Sequence, residues 1–166
     1  MPKILVLYDT QTGNTRAMAE AVAEGARSLP GTDVLLKHVD EAQAGDLFET
    51  DGLAVGSPTW CGLMTWKLKR FFDNSICVWG KVEDKVGCAF SSVGAHGGGG
   101  EMTCLSILNV MINYGLLVFG VTDKAGGLTA HYGAVAAGKP SADELAMCRI
   151  LGQKLVQHVQ RIKPSS

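Results

Sequence analysis

Residues 3–20 read KILVLYDTQTGNTRAMAE, and the change of character along this stretch decides the fold. Ile4 to Tyr8 is apolar throughout, which predicts a buried strand. From Thr15 to Leu29, the residues Met18, Ala21, Val22, Gly25 and Leu29 recur at helical spacing, and Pro30-Gly31 ends the helix. Between strand and helix lie Thr10, Gln11, Thr12, Gly13, Asn14 and Thr15, which bring three hydroxyls, two amides and a glycine to one tight turn. A helix amino terminus offers unpaired N–H groups and the positive end of a dipole. Gly13 lets the turn fold so that successive N–H groups point inward. Together these features predict a pocket for a phosphate. The loop contains no lysine, and Arg16 already belongs to the helix. Neutral donors suit one terminal phosphate that stays bound, not a triphosphate undergoing transfer. GxxxxGK[ST] is missing, and so is GxGxxG after the first strand, which disfavours nucleotide triphosphatases and dinucleotide-binding folds.

Beyond this stretch, apolar runs alternate with amphipathic segments. Strands are expected at Val34–Val39, Gly52–Gly56, Val86–Ser91 and Leu116–Phe119, and helices at Trp66–Phe72 and Thr103–Tyr114. A long loop is expected from Val121 to Pro140. Ser141 and Glu144 form a capping box for a last helix, whose buried stripe is Leu145, Cys148, Gly152, Leu155, Val156 and Val159. Apolar strands alternating with helices imply a parallel sheet covered on both faces, in one domain spanning residues 1–166. With strand order 2-1-3-4-5, the chain reverses direction between strands 1 and 3, and a crevice opens at their carboxyl ends.

Two further loops border that crevice. GSPTWCGLM, Gly56 to Met64, makes a stiff turn and leaves Trp60 at its tip, where an indole can stack on a flat conjugated ring. SSVGAHGGGGE, Ser91 to Glu101, has five glycines between Gly94 and Gly100. Such a loop lets backbone amides approach the edge of a heteroaromatic ring.

The bulk composition narrows the function. A formal net charge of −1 argues against a nucleic-acid surface, and no apolar run reaches the length of a membrane span. Five irregularly spaced cysteines without a CxxC pair suggest reduced thiols, with Cys88 and Cys104 in the core and Cys61 exposed to chemistry in its loop. The opening MPKILVLYD lacks the features of a signal peptide, so the protein is expected in the cytoplasm. The four histidines have no metal-ligand spacing, and no metal is expected.

With these three loops the sequence resembles the flavodoxin superfamily, whose α/β/α sandwich is built on a five-stranded parallel sheet. TQTGNT matches the phosphate loop T/S-x-T-G-x-T. GSPTWCGLM, FSSVGAHGGGGEMT, and NYGLLVFG followed by GGLTAHYGA and PSADEL resemble, in order, segments of the WrbA family of NAD(P)H:quinone oxidoreductases. Trp60 instead resembles the indole that electron-carrier flavodoxins set against the flavin; WrbA proteins usually have arginine there. Cys61 and Leu63 also depart from the WrbA pattern, and the chain is shorter than typical members.

The resemblance implies FMN. Thr10, Gln11, Thr12, Gly13, Asn14 and Thr15 would hold its phosphate. Pro58, Thr59, Trp60, Cys61 and Gly62 would line one ring face and the ribityl side. Ser92, Val93, Gly94, Ala95, His96 and Gly97 would line the pyrimidine edge. The third loop has no aromatic other than His96, so one ring face is expected to be open. An open face favours two-electron transfer from NAD(P)H to a quinone; the alternative is one-electron shuttling between redox proteins. His96, Tyr114 and His131 are candidate donors to a quinone oxygen or the flavin edge. The WrbA resemblance also implies a homodimer or homotetramer.

Overall fold

The computed structural model describes the backbone of residues 1–125 and 128–163, and the side chains of all of these except 123–125 and 128. Four parallel strands make up most of one sheet: β1 (Lys3–Tyr8), β2 (Asp33–His38), β3 (Gly52–Pro58) and β4 (Val86–Val93). With β5 (Leu117–Val118) the order is β2-β1-β3-β4-β5, the flavodoxin-like order expected.

Side chains alternate across each strand and divide the core in two. Ile4, Val6, Ala54, Cys88 and Phe90 face α1 (Asn14–Arg27) and α5 (Ala142–Ile162). Leu5, Leu7, Leu53, Val55 and Ala89 face α2 (Ala44–Glu49), α3 (Trp66–Asn74) and α4 (Gly100–Asn113). The α1–α5 layer closes through two glycines. A Cβ on Gly25 would lie 2.0 Å from the Arg149 carbonyl oxygen, and one on Gly152 would lie 2.0 Å from that of Val22. Their helical spacing therefore marks backbone-to-backbone contact. The Ser141–Glu144 capping box is present as expected.

The chain beyond α4 departs from expectation. The fifth strand pairs only with Val86 and Gly87 of β4. The segment read as a long loop instead contains a hairpin, β6 (Val121–Ala125) with β7 (Leu128–Ala130), followed by β8 (Ala134–Ala137). β8 takes over the upper half of β4, pairing with Phe90–Val93. The fifth sheet position is thus shared by two segments, and the sheet has six strands. Gly133 permits the return: its φ is 138°, and a Cβ there would lie 2.2 Å from the Ala89 carbonyl oxygen. Gly126 and Gly127 of the GGLTAHYGA segment lie outside the described residues. Helix α2 was also not expected; it has six residues and buries only Leu47, too little to show a period.

Candidate functional site

The loops leaving β1, β3 and β4 meet at the carboxyl edge of the sheet. In the first, Gly13 adopts φ 90° and caps α1 without a side-chain cap bond. The first N–H groups of the helix, at Asn14, Thr15 and Arg16, therefore have no intrahelical partner. Gly13 N–H donates to Thr10 Oγ1 at 3.1 Å, which folds the turn around those amides. Gln11, Thr12 and Gly13 are exposed, and Asn14 is half-buried. The turn is thus an open, cation-free nest for an anion.

Thr15 has two parts to play. Its hydroxyl is buried and lies 2.8 Å from Ser92 Oγ, tying the first loop to the end of β4. The side chain braces the nest, while the N–H remains one of its helix-start amides.

In the second loop, Cys61 (φ 50°) and Gly62 (φ 78°) are the two central residues of a tight reversal. Trp60 and Leu63 exchange backbone hydrogen bonds of 3.0 and 2.9 Å across it. Positive φ at both central positions is the geometry of a two-residue hairpin turn. It holds Trp60 outward, 51 % exposed. In the third loop, Gly97 and Gly99 have φ 78° and 94°, and a Cβ on Gly99 would lie 3.4 Å from Gly62 Cα. Loops two and three therefore touch through glycines.

Beneath the loops lies a web of buried hydroxyls. Thr59 Oγ1 is 3.0 Å from Ser91 Oγ, and the Thr59 N–H donates to the Ser92 carbonyl at 2.8 Å. The Thr103 hydroxyl sits between Thr59 Oγ1 at 3.0 Å and the Gly99 carbonyl at 3.1 Å. Ser57 Oγ accepts from Thr65 N–H at 3.0 Å, and Ser106 Oγ from Met64 N–H at 3.0 Å. Ser57, Ser91 and Thr103 have no measurable exposure. Buried hydroxyls satisfied in this way fix the loops in one arrangement. Sequence reasoning missed Ser57, Ser91, Thr65 and Thr103 as supports. For Ser57 and Ser91 the available signal was the switch from apolar residues to hydroxyls near the ends of β3 and β4.

Two cavities flank the loops. One, of about 400 Å³, lies between loops one and two and is lined by Asp9, Thr10, Gln11, Trp60, Trp66 and Lys67, among others. The other, of about 320 Å³, lies beyond loop three; its walls include His96, Glu101, His131, Tyr132 and Glu144. His96 and His131, far apart in the chain, are thus brought to one cavity. Three hydrogen bonds shape its far wall. Glu144 accepts from Ala137 N–H and Ser141 N–H at 3.1 and 2.7 Å, and its own N–H donates to Ser141 Oγ at 3.2 Å. Burial alone would raise its carboxyl, but these bonds outweigh it and hold the group below its ordinary value.

One expectation is corrected. Tyr114 is not at the site. It ends α4, a helix of 14 residues that starts at the third loop, so it lies about 20 Å away at the amino edge of the sheet. Its hydroxyl donates to the Phe72 carbonyl, and its ring packs edge-on against Phe72 at 5.7 Å. His38, which the sequence does not single out, stands beside the first loop. At the end of β2, its Nε2 lies 3.3 Å from Oδ1 of buried Asp9, which also accepts from Thr10 N–H at 2.8 Å. The Asp40 N–H donates to Nδ1 at 3.3 Å, which leaves Nε2–H to face Asp9 when the ring is neutral. Lys67 pairs with Asp40 at 2.7 Å, holding that carboxyl below and its own ammonium above their ordinary values. Among the cysteines, Cys61 and Cys77 are exposed, and Cys88, Cys104 and Cys148 are buried. Burial pushes the Cys148 thiol up to about 12 and the other two higher.

A doubly covered parallel sheet with a phosphate-type nest and an exposed indole at its switch point defines a flavodoxin-like protein. The family model described as Flavodoxin matches residues 6–107. A protein of Aquifex aeolicus named flavodoxin is 59 % identical over 162 residues, covering 96 % of this chain and 88 % of the relative. A protein of Archaeoglobus fulgidus named NAD(P)H dehydrogenase (quinone) is 30 % identical, covering 98 % of this chain and all of the relative. The crystal structure of a WrbA-like flavodoxin from Agrobacterium tumefaciens superposes with a TM-score of 0.80 at 24 % identity, over 98 % of this chain and all of that one. The chain belongs to the flavodoxin family.

Proposed function

We propose that the protein binds FMN in the three loops and carries electrons between redox proteins. The observation behind this reading is the nest at Thr10–Thr15, with unpartnered helix-start amides and no cation, beside an exposed indole. The donor set fits a phosphate monoester: neutral amides and the hydroxyls of Thr10 and Thr12, on a left-handed glycine that leaves the approach open. When bound, the flavin supplies the redox chemistry. The protein's part is to grip the phosphate, to stack Trp60 on one ring face and to bring the amides of loop three to the ring edge. Trp60, Leu63 and Trp66 are each more than half exposed around the mouth. Such an apolar rim suits a protein partner that must approach closely. The 59 % relative, named a flavodoxin, supports the carrier reading.

A second reading is two-electron transfer from NAD(P)H to a quinone. It is favoured by the third loop, which offers no aromatic cover, and by the adjoining 320 Å³ cavity, where His96 and His131 could donate to an acceptor's oxygens. The relative named NAD(P)H dehydrogenase (quinone) supports it.

Anaerobic reduction of the FMN-loaded protein separates the two. For a carrier, NADH and NADPH leave the flavin absorbance unchanged, and a ferredoxin-type reductase removes it in one-electron stages. Rapid bleaching by a nicotinamide, with recovery on adding a quinone, establishes the enzyme. A chain that takes up no FMN defeats both.

A further inference from the structure

The nest for an anion stands beside a buried carboxylate. Asp9 is 6 % exposed, and its Oδ1 accepts from Thr10 N–H at 2.8 Å. Thr10 in turn holds Gly13 through its hydroxyl, so Asp9 and the nest hang on one residue. Negative charges brought together away from water are costly. A phosphate in the nest therefore needs the charge of Asp9 answered from nearby. Among the described residues no lysine or arginine pairs with that carboxylate. The basic group that reaches it is His38, whose Nε2 lies 3.3 Å from Oδ1.

The ring has two arrangements open to it. Neutral, it accepts from the Asp40 N–H at Nδ1, 3.3 Å away, and so caps the short turn Val39–Glu41. Protonated, Nδ1 can no longer accept, but it faces Asp40 Oδ2 at 3.5 Å while Nε2–H faces Asp9. The imidazolium thus gains two carboxylates and loses one cap bond. The neighbouring charges leave this choice to Asp9. Lys67 of α3 already binds Asp40 Oδ2 at 2.7 Å, and Arg70 acts on the same carboxyl from behind it. Lys37 of β2 is taken by Asp46 of α2 at 2.7 Å, and Arg16 of α1 by Glu20 at 2.9 Å. From β1 the ring meets the edge of Tyr8, with centroids 5.4 Å apart. Glu41, in the turn itself, is exposed. Asp9 is thus the carboxylate that depends on His38 for a partner.

We infer that His38 is a positioning residue of the cofactor site and takes up a proton when FMN binds. The inference rests on the FMN reading above. A phosphate dianion in the nest adds its charge to that of Asp9, and the protonated ring offsets the sum. It holds Asp9 through Nε2–H, and through Asp9 it keeps Thr10 and Gly13 in place. One proton moves from solvent to Nδ1, and no covalent bond to FMN forms or breaks. Linkage fixes the sign of the effect. The loaded protein holds more protons than the empty one, so its affinity for FMN falls as the pH rises.

Calorimetric titration of the full chain with FMN at about pH 7.5, repeated in buffers of different ionisation enthalpy, counts the protons. Free phosphate monoesters, with a second pKa of about 6, are mostly dianions at that pH, so net uptake comes from the protein. The wild type is expected to take up on the order of 0.5 proton per FMN, and to bind about tenfold more tightly at about pH 6.5 than at about pH 8.5. His38→Gln keeps a donor for Asp9 but takes no proton. It is expected to lose the uptake, to match the wild type at the higher pH and to bind about tenfold more weakly at the lower. A histidine with a merely structural role would weaken binding equally at both. Asp9→Asn removes the charge that calls for the proton, and is expected to bind FMN without uptake and more tightly than the wild type at the higher pH. His158→Gln, on α5 against Phe119, is expected to behave as the wild type. Uptake that survives His38→Gln, or wild-type binding with no uptake, overturns the inference and leaves FMN binding standing. A chain that binds no FMN defeats both.

Discussion

At the carboxyl edge of the sheet the buried side chains between strands and loops are hydroxyls, and a cleft of about 400 Å³ stands open beside them. At the amino edge, Leu47, Leu53, Phe72, Met111, Tyr114 and Leu116 close over a space of about 10 Å³. The same strands run through both ends, so the contrast is one of side-chain chemistry. Apolar side chains gain from contact and leave no room, whereas hydroxyls paired across loops can hold backbone apart from backbone without leaving donors unsatisfied. The open end is the one to which FMN binding is assigned in our proposal, and the packed interior of the other end carries stability.

The largest effect expected to break this contrast is at Gly13. Gly13→Val forces a β-branched residue into φ 90°, where only the backbone objects, since nothing lies within 4 Å of the added Cβ. FMN affinity, followed by quenching of flavin fluorescence, is expected to fall at least ~100-fold, which is about 2.7 kcal/mol. The fold itself is expected to survive. Next comes Thr103→Val, which removes the hydroxyl between Thr59 and Gly99 in a fully buried position. A loss of about 2 kcal/mol in denaturant unfolding is expected, together with weaker FMN binding, because the web supports loops two and three.

Tyr114→Phe sharpens the comparison from the other side. It deletes the hydrogen bond to the Phe72 carbonyl at the closed end, so stability is expected to drop by about 1 kcal/mol while FMN affinity and electron-transfer rates stay unchanged. A changed rate would mean that the two ends are not separate. The smallest effect concerns Glu144, which joins β8 to the start of α5. Its carboxyl is held below the ordinary 4.5, so its contribution is present above that pH and is lost as the pH falls through the depressed value. Urea midpoints are expected to fall less between pH 7 and pH 4 in Glu144→Gln than in the wild type.

The nest and its glycine were legible because each depends on neighbours within a few residues: a strand end, a turn and a helix start. The Ser141–Glu144 box was legible for the same reason. Tyr114 misled because a phenol suits proton donation wherever it lies, whereas its distance from the loops follows from the length of α4. His38 gave no signal of its own, yet adjacent parallel strands put Tyr8 and His38 in register, one residue from Asp9. The split fifth position was hidden because Leu117–Val118 and Ala134–Ala137 are each too short to announce which half of β4 they pair with.

The sequence alone determined the alternation of buried strands and amphipathic helices, the strand order and the turn able to accept a phosphate. All of these follow from periodicity, backbone freedom and connection handedness, which act locally or through simple topological rules. Only the tertiary structure decided that Thr15, Thr59, Ser91, Ser92 and Thr103 form one web, that His96 and His131 share a cavity, and that His38 stands between Asp9 and Asp40. Those facts depend on which distant side chains arrive at the same place, and that is settled by packing the whole core at once.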